Sequence, residues 1–530
     1  MMGNTFALGA ALGALVAAPA FAGGIDVSSD AIHSDDVVLV TYDGTPLDIN
    51  GDGDVDLAVA SNAGGVADSS RYYYGNGDGT FSAPELLSEG DSSEIAAGDL
   101  NGDTFPDLVQ GRRDLTNLYY LGDSLAVAPG VDIAADAHST SSVALGDLDL
   151  DGDLDVVTGN GADMTPQPNR FYLNSMTGGG TLSFTGADIS PDADVTRSIV
   201  LADIDDDDDL DVLAGNAGGG NRLHLNVISI GTTVAFAPGP DFGDPDDQTS
   251  KILVGDLDLD GNLDVVTLNL PSAASSGVNR FFMNTSFGLE QPVDVSADTD
   301  ATSGGALADF DGDGDLDLAV ANLATGMPNQ SPRNKLYLNQ LTEPGGTVTF
   351  AAGIDISADE HNSRALAAAD LNGDQALDII VGNENQPDRR YLNNGTADPF
   401  TNVAPVIVDQ AAALRTNEGA ALTITLTDVT VTDPDNVFPD DFTLTAQPGA
   451  NYTASGATIT PDPGFAAALL VPVVVNDGTD NSAAFSLTVS ITPAPRSGGS
   501  GGGAFGILPL LTVLVFLGLP NWRRKRFLLR

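Results

Sequence analysis

The chain has no cysteine in 530 residues, so no disulfide can cross-link it. If it works outside a reducing compartment, something else must supply that cohesion. It is also poor in positive charge. Twenty Lys and Arg face 75 Asp and Glu, and the net charge of −55 excludes general affinity for nucleic acid, which needs clustered cations against phosphate. Aromatics make up only 6% and there are 61 glycines, a combination that could indicate disorder, but an apolar fraction of 42% is enough to build a core. Histidine is scarce too: His33, His138 and His361 fall at comparable places in a repeat, which suggests repetition and not a one-off catalytic group. No nucleophile motif or H-E-x-x-H stands out, and the expectation is a non-catalytic protein. A carboxylate pair acting on polysaccharide, hidden among so many aspartates, is the alternative.

What is abundant is one acidic pattern. Nine-residue loops begin at Asp48, Asp99, Asp147, Asp203, Asp256, Asp309 and Asp370, at intervals of 48 to 61 residues. Side-chain oxygens recur at positions 1, 3, 5 and 9. The ligand sets are Asp48, Asn50, Asp52, Asp56; Asp99, Asn101, Asp103, Asp107; Asp147, Asp149, Asp151, Asp155; and Asp203, Asp205, Asp207, Asp211. The remaining three are Asp256, Asp258, Asp260, Asp264; Asp309, Asp311, Asp313, Asp317; and Asp370, Asn372, Asp374, Asp378. The backbone carbonyl of position 7 completes each set, from Asp54, Phe105, Asp153, Asp209, Asn262, Asp315 and Ala376. Hard oxygen donors in this number select Ca²⁺, at up to seven sites, over softer metals. Position 12, where an EF-hand needs glutamate, holds Val59 in loop one and Thr158 in loop three, so this is a different loop. Glycine at position 4 or 6 relieves the turn in six loops; loop four has Asp206 and Asp208 there, a point of expected strain. Solvated acidic turns without metal are the alternative reading.

Around each loop the same order of short apolar runs recurs. In the third repeat Ser142–Gly146 leads into the loop, Val156–Asn160 leaves it, Asn169–Asn174 follows, and Thr181–Phe184 runs on to Asp188–Ser190. Four strands per unit of about 53 residues, seven times over, describe a seven-bladed β-propeller across residues 23–400. Residues 23–29 nearly repeat the outer-strand segment around Ile354-Asp355 and are expected to close the ring as the missing outer strand of the last blade.

These loops resemble FG-GAP/VCBS repeats, the units of integrin α-like propellers and of many bacterial surface proteins. The resemblance implies Ca²⁺ loops that are structural, on one face, with recognition of a glycan or protein ligand on the other. That opposite face should carry the hydroxyls seven residues before each loop start: Ser92, Thr140, Thr196, Thr249, Thr302 and Ser363. His138, Arg197, Lys251 and Arg364 lie beside them as candidate ligand contacts, with His361 nearby. Ordinary turn-capping by Ser and Thr is the alternative for the hydroxyls.

A second module spans residues 403–494, where strands such as Leu422–Leu426, Phe442–Thr445, Leu470–Val475 and Phe485–Val489 alternate with Gly, Pro, Asn and Asp turns. With Asn417-Glu418, Asp433-Pro-Asp435-Asn436 and Asn476-Asp477-Gly478 it resembles a cadherin-like (Ig-like) β-sandwich. The resemblance implies Glu418, Asp433, Asp435 and Asp477 as further Ca²⁺ ligands; plain turn residues are the alternative.

The ends point to export. Residues 5–22 form an alanine-rich apolar run ending Ala20-Phe21-Ala22, the small-x-small form of a cleavage site, so residues 1–22 are expected as a signal peptide, with a buried helix as alternative. At the other end a Gly/Ser linker (495–503) precedes an apolar segment (504–520), expected as one short transmembrane helix, and a basic cytoplasmic tail (521–530). This tail resembles the GlyGly-CTERM sorting signal of Gram-negative bacteria. The resemblance implies transient tethering to the inner membrane, cleavage by a rhomboid-type protease and release to the cell surface or medium, as opposed to a permanent anchor. Taken together, the expectation is an all-β, calcium-stabilised surface binding or adhesion protein, with a structural spacer as a further alternative.

Overall fold

The computed structural model describes residues 41–493, apart from 54, 62–68, 76–80, 124–125, 163, 177–181, 229–233, 286–287, 325–332, 358–359, 372–374, 385, 387, 394–402, 434–438, 440–441 and 479. The expected leader, closing strand (23–29), Gly/Ser linker, membrane segment and basic tail lie outside the described residues. The described chain is all-β, with one 3-10 turn at Leu426–Asp428 and no helix long and apolar enough to cross a membrane.

Residues 41–391 form seven small antiparallel sheets whose strands pair in chain order, with a separate two-stranded ribbon, Asn284–Thr285 and Gly288–Leu289, inserted before the outer strand of the fifth. Their first strands are Thr41–Leu47, Ser92–Gly98, Thr140–Gly146, Thr196–Ala202, Gln248–Gly255, Thr302–Ala308 and Ser363–Ala369. Each first strand touches the first strands of the sheets before and after it, and the seventh touches the first, so the sheets stand in a closed ring consistent with a propeller. The second strand of each sheet starts at the ninth loop residue. In Asp56–Ser61, Asp155–Asn160, Asp211–Asn216, Asp317–Asn322 and Asp378–Asn383 every residue is buried, because a neighbouring sheet covers each face.

The core follows the same plan. Among the described residues, seven apolar clusters each straddle one junction between neighbouring sheets. One of them sets Leu57, Val59 and Tyr73 of the first sheet against Leu371, Ile380 and Leu392 of the seventh, and so closes the ring through packing. Sheet seven shows three strands, Ser363–Ala369, Asp378–Asn383 and Arg389–Tyr391, among the described residues. All seven first strands bulge near their start, at the second residue in six of them and at the third, Ser250, in Gln248–Gly255; the shifts between Thr196 and Ser198 and between Ser363 and Ala365 are examples. A bulge leaves one residue out of the ladder and re-aims its side chain.

A further β domain follows. Leu414–Asn417, Phe485–Thr492, Ala468–Asn476 and Thr443–Ala446 make one sheet, in which Leu414–Asn417 runs parallel to Phe485–Thr492. Strict alternation of buried and open residues along Phe485–Thr492 and Val429–Thr432 gives each strand one core face, and these faces meet around Val471, Val473, Leu487 and Val489. The expected strand Leu422–Leu426 is shorter, Leu422–Thr423. Asp428 Oδ2 accepts the Thr425 N–H at 2.8 Å, which turns the chain into the 3-10 segment.

Candidate metal centre

The first aspartate of each loop shapes its turn. In loop six, Oδ1 of Asp309 accepts the N–H groups of Gly312 (2.8 Å) and Asp313 (3.1 Å), and Oδ2 accepts that of Gly314 (3.0 Å). Loops one and two repeat this cradle on Asp48 and Asp99, and in loop seven Gln375 donates to Asp370. Wrapping N–H groups around one carboxylate forces left-handed backbone at positions 4 and 6. Gly312 and Gly314 take φ of 76° and 99°, and Asp206 and Asp208 of loop four take 59° and 70°, the strain the sequence suggests. Leu150, Leu259, Thr104 and Gln375 carry the same strain at one position of their loops.

The ninth aspartate does something else. Asp155 is fully buried; its Oδ2 accepts the N–H of Leu148 at position 2 (2.9 Å) and its Oδ1 that of Asn174 on the third strand (2.7 Å). Asp56, Asp107, Asp211, Asp264, Asp317 and Asp378 make the same pair of bonds in their own sheets. One carboxylate therefore ties the loop to two strands. Burial pushes Asp56, Asp211, Asp264 and Asp317 up to about 7, Asp107 to about 6 and Asp155 to about 8; nearby loop carboxylates add to the shift and the two N–H donors oppose it.

In four loops carboxylate oxygens converge within 4.8 Å of one another and could hold a metal ion: Asp147, Asp149 and Asp155; Asp203, Asp205 and Asp211; Asp256, Asp258 and Asp260; Asp309, Asp311 and Asp317. Burial and then mutual repulsion raise the position-3 members Asp149, Asp205, Asp258 and Asp311. Oδ1 of Asp149 is buried and accepts no hydrogen bond. Like charges gathered at this spacing, with an orphaned buried oxygen among them, fit a hard divalent cation, and the all-oxygen donors fit Ca²⁺. Loop five groups positions 1, 3 and 5, where the others group 1, 3 and 9. Loops one and two have asparagine at position 3, Asn50 and Asn101, and so two fewer carboxylates between them. Asp54, Asn372 and Asp374 lie outside the described residues. Position 5 also caps the turn, Asp103, Asp151, Asp207, Asp260 and Asp313 each accepting the N–H of position 7. In the second β domain Glu418 accepts the Gly464 N–H and Asp477 that of Asp480. Among the described residues, Glu418, Asp433 and Asp477 do not converge into such a group, and Asp435 is outside them.

Two further roles escape a reading by spacing. The side chains at position 7 in loops three and six, not only the carbonyls, are engaged: Asp153 and Asp315 accept the N–H groups of Met176 and Leu341. The asparagine closing each third strand reaches into the preceding sheet. Asn174, Asn226, Asn284, Asn339 and Asn393 donate their amides to the position-2 carbonyls of Leu100, Leu148, Ile204, Leu257 and Phe310, at 2.7 to 3.0 Å. Gly75 and Gly122 occupy that place in the first two sheets, so the first sheet has this bracket on neither side.

The expected hydroxyl ring is corrected by burial. Ser92, Thr140, Thr196, Thr249, Thr302 and Ser363 are at most 1% exposed. Thr196 receives the Asn169 amide of the sheet before and donates to Asn216 of its own, and Thr140 and Thr302 repeat the relay. These three stitch neighbouring sheets, while Ser92, Thr249 and Ser363 donate within their own, and all six are too buried to meet a ligand. The four candidate contacts also divide. Lys251 Nζ lies 2.6 Å from Glu94, Arg364 is paired with Glu384, and His138 Nε2 sits 3.5 Å from Asp136. Arg197 has no carboxylate partner among the described residues, and its Nη2 rests 3.6 Å from the Met164 sulfur.

The model of the FG-GAP-like repeat matches residues 48–110, 147–214 and 256–320, each segment beginning at the first aspartate of a loop. Cartilage acidic protein 1 of Mus musculus is 32% identical over 166 residues, 29% of this chain and 25% of that protein. The Homo sapiens protein of the same name is 29% identical over 164 residues, again 29% of this chain and 24% of its own length. The chain thus spans about a quarter of the length of these curated relatives. Among solved structures, an Agrocybe aegerita lectin described for recognition of non-reducing terminal N-acetylglucosamine overlays with a TM-score of 0.42 at 18% identity, covering 61% of this chain and 82% of the lectin.

Proposed function

We propose that this chain is a calcium-stabilised, non-catalytic binding or adhesion protein: a seven-bladed propeller followed by a cadherin-like sandwich, exported through its 1–22 leader and displayed at the surface of a Gram-negative bacterium. Its ligand, a glycan or another protein, docks on the face opposite the calcium loops. The observation that carries the reading is the division of labour along each first strand. Its end enters an acidic loop built for a cation, and its start bulges, with Arg197 and Arg364 at the bulged position. Calcium at several loops supplies the cohesion that disulfides give other exported proteins. Extracellular modules bind it with Kd of about 10⁻⁴–10⁻³ M. At a hundredfold excess each filled site adds about 2.7 kcal/mol.

The full chain, calcium-loaded and applied to arrays of glycans and extracellular-matrix proteins, tests the reading. Selective capture that falls at least tenfold in Arg197→Ala supports it. An empty array together with turnover of a polysaccharide replaces binder with enzyme.

A further inference from the structure

An ion pair joins sheets two and five across the ring, and two arginines, on sheets four and seven, feel each other's charge. Sheets two and five meet through Glu94 and Lys251, 2.6 Å apart, the third and fourth residues of their first strands. Arg197 of sheet four and Arg364 of sheet seven are each the second residue of their first strand, and the like charge of Arg364 acts on Arg197. In the aligned strands the arginines therefore sit one residue closer to the strand start than the ion pair, on the side away from the metal loops. The ion pair spans the ring between sheets two and five, and the arginines lie on the strand-start side of it.

These two cations differ in what surrounds them. Arg364 is held by Glu384, whose Oε2 accepts its Nε–H at 2.9 Å. Arg197 is half-buried, its Nη1 is sealed from solvent without an acceptor, and its one polar neighbour is a thioether, a weak acceptor. Burial first, and then the like charge of Arg364, disfavour its protonated form. In four of the other five blades the bulged residue is a serine; Ser93, Ser141, Ser250 and Ser303 turn their hydroxyls to the backbone of the next blade and fill their own bonding needs. Arginine in that place gives up the stitch. A half-buried guanidinium under the influence of a second one, in a chain of net charge −55, has no anion beside it among the described residues.

We infer that the axis mouth formed by Arg197 and Arg364 is a binding site for a single carboxylate group of a ligand. A planar carboxylate matches the guanidinium fork through two parallel N–H···O bonds. A monoanion is favoured over sulfate or phosphate dianions, because Arg364 is already held by Glu384 and the Arg197 guanidinium balances a single charge, while a dianion loses more hydration on entering. The inference rests on the proposed recognition face and names its chemistry.

The test is thermal denaturation of the full, calcium-loaded chain in acetate, chloride and sulfate at one ionic strength, for wild type, R197M and R197K. Acetate is expected to raise the melting temperature of wild type by several degrees over chloride, with R197M losing that increment, R197K keeping part of it, and sulfate giving less than acetate. Glucuronate and N-acetylglycine, run beside acetate, show by the larger increment whether a sugar acid or a peptide acid is the better carrier. Equal shifts in wild type and R197M overturn the site, and a larger response to sulfate overturns the carboxylate assignment. An acetate response that depends on Arg197 alongside an empty array keeps this site and removes the larger ligand. Array capture indifferent to R197M does the reverse.

Discussion

Lys251 of the fifth sheet and Glu94 of the second lie 157 residues apart in sequence and 2.6 Å apart in space, joined through the middle of the ring. The other oxygen of Glu94 accepts the Val143 N–H of the third sheet, so one side chain couples three sheets. The pair is neither open nor sealed, with Glu94 11% and Lys251 30% exposed. Lys251→Met should therefore cost about 1–3 kcal/mol, between the value of a surface pair and that of a buried charge left alone. Adding Glu94→Gln should recover part of it. Urea denaturation of both single variants and the double variant measures the coupling.

The ninth aspartates separate metal binding from hydrogen bonding. Asp155→Ala leaves the Leu148 and Asn174 N–H groups buried without acceptors and should cost about 2–5 kcal/mol with or without calcium. Asp155→Asn keeps one acceptor oxygen and removes the charge, so it should lose most of its stability deficit in chelator and show a clear one in calcium. Denaturation of both variants under the two conditions is the check.

The pH response of the metal-free chain has a definite sign. Burial raises six of the ninth aspartates, Asp56, Asp107, Asp155, Asp211, Asp264 and Asp317, to about 6 to 8 when folded, above the ordinary value near 4 of an unfolded chain. Between those values the folded state holds protons that the unfolded state has released, so stability falls as pH rises. In chelator the melting temperature should drop from pH 5 to pH 8. Calcium competes with those protons, so its stabilising effect should grow over the same interval. A flat profile in chelator would show that these carboxylates are ionised without a cation.

The interblade asparagines should act one junction at a time. Asn226→Ala removes a bond to the Leu148 carbonyl and should cost about 1 kcal/mol. Gly122 cannot be given the same bracket, since a Cβ there would lie 2.2 Å from the Pro106 carbonyl oxygen. With no bracket on either side, the first sheet should exchange its amide hydrogens fastest, which hydrogen-exchange mass spectrometry of the strands Asp56–Ser61 and Asp211–Asn216 can compare.

Sequence spacing exposed the loops because their donors come from nine consecutive residues, and the fixed period of Asp48 through Asp370 exposed the repeat. It could not expose partners that depend on how repeats stack. Asn174 looks like a strand-framing residue, yet its amide serves Leu100, 74 residues earlier. The hydroxyls from Ser92 to Ser363 look like a ring on an open face because their period is right, but period does not report burial. Lys251 and Arg197 read alike as surface cations, and only the ring separates them by bringing Glu94 to one and Arg364 to the other. At Leu422–Leu426 the alternating pattern suggests a strand, and a single side-chain bond from Asp428 ends it early.

The central claim is that cations in the aspartate loops hold the ring together. Thermal denaturation of the full chain in millimolar calcium and in excess chelator, at pH 7.5, tests it most directly. The account predicts a fall in melting temperature of more than about 10 °C on chelation, from several sites contributing together. An unchanged melting temperature would contradict it.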